Sequence, residues 1–187
     1  MHEAWFYILW AVGAYLLGSL SAGDLVTRAF GVNIRTKGTG NPGTANIYRE
    51  LGLTYGVAVF VLDIVKGAVA TVLLYLLDLP TWTGLMAMVA VLAGHIFPVF
   101  WRFQGGTGLV VGIGTTAGLL PWGSLIAAPV TALALSRTRN MGYVGALFFL
   151  LTLVAGGLVH RDIVGVIAVL LAGTIIWIKA RVQYRDQ

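Results

Sequence analysis

The stretch of sequence that decides the fold reads LVVGIGTTAGLLPWGSLIAAPVTALAL and covers residues 109–135. Its residues are almost all apolar or small, as in a segment buried in a membrane. Pro121-Trp122-Gly123 interrupts it near the middle, and proline and glycine tend to end a helix. Arg102 precedes the stretch and Arg137 follows it. Because basic flanks favour the cytoplasmic side, both ends belong on one side. The pattern therefore predicts two short helices, one entering the membrane and one returning.

Further apolar runs lie on either side of this stretch. They are Ala4–Ala22, Tyr55–Leu77, Trp82–Trp101, Tyr143–Val159 and Ile163–Ile178. Each approaches the roughly 20 residues that a helix needs to cross a bilayer. The chain has 58% hydrophobic and 10% charged residues, with a mean hydropathy of +0.88. A soluble domain carries about 25% charged residues, so a soluble protein is excluded. Residues 1–187 are predicted to form a single all-α, polytopic membrane domain.

The basic residues predict its orientation. The chain has 12 Lys and Arg residues, and most of them lie in three of the breaks between apolar runs or in the tail. These are Arg28, Arg35, Lys37, Arg49, Arg102, Arg137, Arg139, Lys179, Arg181 and Arg185. The break at Asp78–Thr81 has no basic residue, and that at His160–Asp162 has only Arg161. The pattern predicts seven transmembrane helices, two of them short, in the plasma membrane, with the N-terminus outside and the C-terminus cytoplasmic. Five crossings plus a re-entrant hairpin is the alternative.

The densest polar segment is residues 33–49, which read NIRTKGTGNPGTANIYR. The backbone amides of Gly38, Gly40 and Gly43 suit a concave loop that binds an anion. The cations of the segment, Arg35, Lys37 and Arg49, suit charge-assisted hydrogen bonds to phosphate. The segment therefore predicts a phosphate site. The alternative is a solvated cytoplasmic loop whose cations face anionic lipid.

A second cluster joins the end of one apolar run to the start of the next. Gly105-Gly106-Thr107-Gly108 leads directly into a helix N-terminus, which is a natural anion site, and a tight turn is the equal alternative. His95, just before it, is predicted to be either a hydrogen-bonded residue near a helix end or a base or orienting group. Gly112, Gly114 and Gly118 are predicted to serve helix packing.

Asp63 and Lys66 are charged residues inside an apolar run. Their i, i+3 spacing places them on one helix face. An ionisable residue within a membrane helix is a functional candidate, and the alternative is a self-compensated pair with an architectural role.

Several chemistries are excluded. The chain has no cysteine, and its histidines and acidic residues are too scattered for a zinc or magnesium site. No serine lies in a nucleophile elbow. An enzyme of this sequence would use no metal or cofactor and would act by positioning and electrostatics on a phosphate-bearing substrate.

Four motifs together resemble one family. The motifs are Gly18-Ser19, residues 33–49, LDIVKG at 62–67, and AGHIFPVF at 93–100 with GGTG at 105–108. In order and spacing they are similar to those of the acyl-phosphate:glycerol-3-phosphate acyltransferases, the PlsY family. The resemblance implies transfer of an acyl chain from acyl phosphate to glycerol 3-phosphate, giving lysophosphatidic acid and phosphate in phospholipid biosynthesis. It also implies a cytoplasmic-side site and no metal, acyl carrier or nucleic acid as partner.

The resemblance also implies roles for individual residues. Thr39 falls at a phosphate-binding hydroxyl, Arg49 at a phosphate-binding arginine, and His95 in the second motif, so these three are the predicted catalytic residues. Asn41 and Asn46 fall at the loop asparagines and join the predicted phosphate-binding set. That set is Arg35, Lys37, Gly38, Gly40, Asn41, Gly43, Asn46, Gly105, Gly106, Thr107 and Gly108.

The chain departs from the family pattern at three places. Thr107 stands where the second motif has lysine, glycines replace the serines of the third motif in residues 139–145, and the tail lacks the family's histidine and asparagine. Arg102 or Lys179 are candidate substitutes for the lost cation, and Asp63, Lys66 and Arg102 are predicted supporting residues. These departures favour an alternative function, that of a non-catalytic family member which binds lipid or phosphate. A transporter would predict two similar halves, and the sequence has no such repeat.

Overall fold

The computed structural model describes residues 2–160 and 163–183, with the side chains of His2, Glu3 and His160 excepted. Most of the predicted break at His160–Asp162, with Arg161, and the tail cation Arg185 lie outside the described residues. The described part forms nine α-helices and two short 3-10 helices. The α-helices are α1 His2–Ser19, α2 Ala22–Ala29, α3 Thr44–Leu51, α4 Leu53–Leu76, α5 Thr81–Ile96, α6 Leu109–Leu119, α7 Pro121–Thr138, α8 Met141–His160 and α9 Ile163–Gln183.

The helices confirm an all-α polytopic membrane protein. Among the described residues, four helical segments are long and apolar enough to cross a bilayer: Leu53–Leu76, Thr81–Trp101, Met141–Val159 and Ile163–Gln183. Helices α1 and α2, which meet at a 41° bend, would make a fifth span if they are counted together. The long apolar runs therefore fold as the sequence predicts.

The predicted break within residues 109–135 is confirmed. Helix α6 ends at Leu119 and α7 begins at Pro121, where the missing N–H of proline costs nothing at the first helical position. At 1.5 Å per residue, the 11 residues of α6 cover about 16 Å, roughly half of a bilayer core. Leu119 and Leu120 at the junction are fully buried, so the junction lies within protein.

Helices α4 and α6 pack through glycine. A Cβ atom at Gly67 would overlap the carbonyl oxygen of Val111 and lie 2.9 Å from the amide nitrogen of Thr115. A Cβ atom at Gly114 would likewise overlap the backbone of Ile64. Small residues of this kind allow membrane helices to approach closely. The close approach holds the start of α6 beside the charged pair on α4.

The three glycines predicted to serve packing do so. Gly112 faces Ile176 and Phe149, Gly114 faces the backbone of Ile64, and Gly118 faces Thr71. None of the three lines the large cavity described below. Their role is therefore architectural, as the sequence predicts.

We expect Gly67→Ala to lower the free energy of unfolding by about 1–3 kcal/mol, because the added methyl group forces two backbones apart. Gly13→Ala is the matched control, since a Cβ atom there meets nothing within 4 Å. Unfolding midpoints in detergent would measure both. Equal midpoints for the two variants would show that the α4–α6 approach is not tight.

Candidate active site

One end of the helix bundle contains a cavity of about 530 Å³ with two kinds of wall. Its polar wall includes Asn41, Gly43, Thr44, Asp63, His95 and Thr107. Its apolar wall includes Leu109, Val110, Ala146, Phe149, Ile176 and Trp177. The cavity thus suits a ligand that has an anionic or polar head and an apolar tail.

The loop before α3 is held by Asn46. The side-chain nitrogen of Asn46 donates to the carbonyl oxygens of Lys37 at 3.1 Å and Asn41 at 3.0 Å, and its Oδ1 accepts from the amide of Thr39 at 3.0 Å. The residue is 2% exposed. Asn46 is predicted to bind phosphate, but its amide group is already occupied by loop backbone. We therefore assign it a positioning role.

Most of the loop's own amides are also occupied. The amide of Gly40 donates to Lys37 O at 2.9 Å, that of Asn41 to Thr39 Oγ1 at 3.4 Å, and that of Gly43 to Asn41 Oδ1 at 3.1 Å. The expected anion-binding concavity of glycine amides is revised accordingly. Of the glycine amides expected to bind an anion, that of Gly40 already donates to a backbone carbonyl and that of Gly43 to the side chain of Asn41.

The predicted cations of this segment lie outside the cavity wall. The Nε and Nη2 atoms of Arg35 bind both carboxylate oxygens of buried Asp24, at 2.7 and 2.6 Å, and its guanidinium lies 5.5 Å from the ring centre of Trp101. Lys37 is exposed. The expectation that Arg35 binds phosphate is thus revised, because a bidentate carboxylate partner already occupies it.

Arg49 is better placed. It lies on α3 one turn after Ala45, which lines the cavity, so the two share a helix face. Arg49 is exposed, and among the described residues it has no ion-pair partner. Its guanidinium is therefore available to an anion that enters the polar end of the cavity.

The second glycine loop divides into two parts. The amides of Gly105 and Gly106 donate to the carbonyl oxygens of Ile96 at 3.1 Å and His95 at 3.2 Å, and so cap the end of α5. They are not free to bind an anion, which supports the tight-turn alternative for these two residues. Thr107 and Gly108 line the cavity, and Gly108 adopts φ +88° before α6. Arg102 is exposed and does not line the cavity.

The charged pair on α4 is buried and contacts His95. Lys66 Nζ lies 2.9 Å from Asp63 Oδ1, 3.0 Å from Leu20 O and 3.0 Å from His95 Nδ1. Gly18 O lies at 3.4 Å. The sequence predicts the pair from its spacing, whereas the contact with His95 is new. The pair is therefore both self-compensated and part of the site.

This network assigns the tautomer of His95. A charged lysine only donates hydrogen bonds, and the four oxygen and nitrogen atoms around Lys66 are all capable of accepting. His95 Nδ1 is then the acceptor, so the proton is on Nε2. The Nε2 atom of His95 points towards Gly106. A Cβ atom added at Gly106 would also lie 3.5 Å from Asn41 Oδ1, so Nε2 and the side chain of Asn41 approach the same side of this glycine. With this tautomer, His95 presents an N–H donor at the polar end of the cavity.

Sequence reasoning missed two parts of the site. Thr44, the first residue of α3, lines the cavity, and no motif distinguished it from other threonines. The apolar wall from α8 and α9, which includes Phe149 and Trp177, comes from runs that read only as membrane helices. A single sequence carries no signal for which face of such a helix lines a cavity.

Comparison with known proteins decides the family. The model of the glycerol-3-phosphate acyltransferase family matches residues 8–186. The chain belongs to the glycerol-3-phosphate acyltransferase family. Its resemblance to that family, inferred from the motifs, is thereby confirmed.

Individual relatives agree with this assignment. The chain is 38% identical over 133 residues to the glycerol-3-phosphate acyltransferase of Geotalea daltonii, covering 71% of this chain and 68% of the relative. It is 41% identical over 137 residues to that of Myxococcus xanthus, covering 71% of each chain. The fold matches the crystal structure of PlsY, an integral membrane glycerol 3-phosphate acyltransferase, in its glycerol 3-phosphate form. That match has a TM-score of 0.85 and 25% identity, over 96% of this chain and 90% of the other.

Proposed function

We propose that this protein transfers an acyl chain from acyl phosphate to glycerol 3-phosphate and releases lysophosphatidic acid and inorganic phosphate. One observation carries the proposal: a single cavity joins a polar wall at Asn41, Thr44, His95 and Thr107 to an apolar wall at Phe149 and Trp177. Acyl phosphate has a phosphate head and a long apolar tail. Membership of the family, and the similarity to glycerol-3-phosphate acyltransferases, support acyl transfer to glycerol 3-phosphate.

The reaction needs an activated donor and correct positioning. The primary hydroxyl oxygen of glycerol 3-phosphate bonds to the acyl carbon, and the bond between that carbon and the phosphate oxygen breaks. Phosphate leaves, and the hydroxyl proton is recovered on it in the products. Acyl phosphate is already activated, so the proposed step requires no metal or cofactor. Holding both reactants in place is a large part of the catalysis.

The residues at the polar end have distinct proposed roles. The N–H of His95 and the hydroxyl of Thr107 donate to oxygens that gain negative charge. Arg49 binds a phosphate group at the mouth of the cavity. Thr39 and Asn41 shape the loop that closes the polar end, while the apolar wall excludes water from the acyl chain.

We propose that the site faces the cytoplasm of the plasma membrane. Four helix ends meet at the cavity: the end of α5, the start of α6, the start of α8 and the end of α9. Several basic residues belong to segments at this end of the bundle, namely Arg28, Arg49, Arg137 and Arg181. Positive charge favours the cytoplasmic side. The proposed single domain makes seven crossings with the N-terminus outside, and among them α6 is the short helix, which enters about half of the bilayer core before α7 returns.

Arg49→Ala is expected to reduce the rate of phosphate release about 10- to 100-fold, because one charge-assisted contact to phosphate is lost. The assay uses the purified full chain, palmitoyl phosphate and glycerol 3-phosphate. Arg137→Ala is the matched control, since Arg137 is an equally exposed arginine but lies at the end of α7 and not on the face of α3 that carries the cavity-lining Ala45. A wild-type rate no higher than that without enzyme would reject the catalytic function, and equal, measurable rates for the wild type and Arg49→Ala would reject the role of Arg49.

The alternative is a non-catalytic family member that binds lipid or phosphate. Thr107 favours it, because a neutral hydroxyl stands in the cavity wall where the family pattern has a lysine. This alternative predicts binding of acyl phosphate without phosphate release, and the same assay separates the two functions.

A further inference from the structure

Two arginines lie against the ring of Trp101, outside the candidate active site. The guanidinium of Arg28 lies 4.6 Å from the ring centre, and that of Arg35 lies 5.5 Å from it. Guanidinium groups at these distances are attracted to the face of an indole ring. Arg28 belongs to α2, Arg35 to the loop before α3, and Trp101 to the segment between α5 and α6. The ring therefore brings three segments of the chain together.

The two arginines differ in their anionic partners. Both carboxylate oxygens of Asp24 bind Arg35, at 2.7 and 2.6 Å. Arg28 is exposed, and it forms no ion pair within the part of the chain that the structure describes. The three charged groups thus sum to one positive charge, which is located on Arg28. An arginine that stacks on an aromatic ring can still donate hydrogen bonds in the plane of its guanidinium group, so Arg28 can bind an anion from outside the chain.

The backbone fixes the ring against which Arg28 lies. The amides of Trp101 and Phe103 both donate to the carbonyl oxygen of Pro98, at 3.1 and 2.9 Å. Arg102 and Phe103 complete this turn with φ values of +53° and +61°, which are unfavourable for residues that have a side chain. The chain therefore holds Trp101 in a defined turn. A guanidinium group that rests on a fixed ring loses less freedom when it binds an anion.

The surroundings place Arg28 at the edge of the membrane. Trp101 is the last residue of the apolar helical segment Thr81–Trp101, and tryptophan is frequent at membrane–water interfaces. Four large apolar side chains on the segments of Arg28 and Trp101 are more than half exposed: Leu25, Phe30, Phe100 and Phe103. Exposed apolar side chains next to a cation are typical of a surface that lies in the headgroup layer of a bilayer. Arg28 is therefore at the depth of the lipid phosphates.

We propose that Arg28 and Trp101 form a binding site for the phosphate headgroup of an anionic membrane phospholipid. The guanidinium of Arg28 donates to the phosphate oxygens, and the exposed apolar side chains lie against the acyl chains of that lipid. A zwitterionic headgroup carries a cation of its own, which Arg28 repels, so the site favours anionic lipid. Arg28 and Trp101 do not line the large cavity. The bound lipid is therefore distinct from the substrates, and the inference does not depend on the proposed reaction.

Arg28→Gln tests the site, because glutamine removes the charge and leaves a polar side chain at an exposed position. The full chain is released from nanodiscs that contain equal amounts of phosphatidylglycerol and phosphatidylcholine, and native mass spectrometry measures which lipid it retains. We expect Arg28→Gln to lower the preference for phosphatidylglycerol about fivefold. Arg137→Gln is the matched control, since Arg137 is also exposed but lies at the end of α7. It is expected to change the preference by less than about twofold.

Two variants of Trp101 separate a built site from a general attraction between a positive surface and anionic lipid. Trp101→Leu removes the ring and is expected to lower the preference about two- to fivefold, whereas Trp101→Phe keeps a ring and is expected to retain it. Equal losses in Arg28→Gln and Arg137→Gln, or no loss in a folded Trp101→Leu, would overturn the site. Displacement of phosphatidylglycerol by excess inorganic phosphate would overturn its assignment to a lipid. If Trp101→Leu does not fold, the comparison of Arg28→Gln with Arg137→Gln decides the inference.

Discussion

Lys66→Met is expected to lower the free energy of unfolding by about 3–5 kcal/mol, because it leaves the carboxylate of Asp63 charged and unpaired in a buried position. The side chains of Lys66 and Asp63 are 7% and 3% exposed, and their charged atoms lie 2.9 Å apart. Lys66 also donates to two backbone carbonyls near the end of α1, so those groups lose a partner as well. Unfolding in detergent, followed by denaturant or heat, would measure the loss.

The same variant is expected to lose most of its acyl transfer activity. Without the ammonium group of Lys66, the Nδ1 atom of His95 has no donor 3.0 Å away, and the proton of the imidazole is no longer held on Nε2. His95 then presents a donor to the cavity for only part of the time. Nitrogen NMR of the labelled imidazole would report the tautomer directly, independently of the rate.

The double variant Asp63→Asn with Lys66→Met separates folding from catalysis. It removes both charges, so most of the lost stability is expected to return, whereas the contact with His95 stays absent and the rate stays low. A double variant that recovers the wild-type rate would show that the pair is purely architectural. Full stability of the single variant would show that Asp63 is not buried as a charge.

Thr107→Lys is expected to raise kcat by about 100- to 1000-fold, because the lysine adds one preorganised cation that stabilises the negative charge developing on the phosphate. That increase is equivalent to roughly 2.7–4 kcal/mol of transition-state stabilisation. Thr107 lies in the cavity wall together with His95, so a lysine at this position can reach the polar end. Phosphate release from palmitoyl phosphate in the presence of glycerol 3-phosphate would measure the change.

Thr107→Met is the matched control for length without charge, and it is expected to give no increase. If the lysine variant is no faster than the methionine variant, the missing cation does not limit the reaction, and another group has taken its place. Lys179 is then the first residue to replace in a search for that group. Its ammonium group lies 5.7 Å from the ring centre of Phe97, near the end of α5.

Much of the fold follows from local chemistry. The apolar runs form helices because every backbone amide in a membrane must find an acceptor within its own segment. The break at Pro121 follows from the missing N–H of proline, and Asp63 and Lys66 meet because an i, i+3 spacing brings them together on any α-helix. These features need no knowledge of neighbouring helices, which explains why the sequence predicts them.

The site is predicted less completely. Asn41, His95 and Thr107 line one cavity, whereas their roles in it stay predictions. The sequence does not predict that Arg35 and Asn46 are occupied, and it leaves open whether Gly105 and Gly106 form a turn or an anion site, because their partners become known only when the loops pack. Arg35 finds Asp24 on another element, and the amide of Gly105 finds a carbonyl at the end of α5.

The sequence by itself determined the class of protein, the main helices, the break between α6 and α7, and the family, since periodicity, proline chemistry and motif order are properties of the linear chain. Only the tertiary structure decided which donors remain for a ligand. A hydrogen-bond donor is free or occupied according to what lies within about 3 Å of it, and that depends on packing between segments far apart in the chain. For this reason the glycine amides proved to be largely occupied, and the carboxylate of Asp24 proved to bind Arg35, which leaves Arg28 without a carboxylate partner among the described residues.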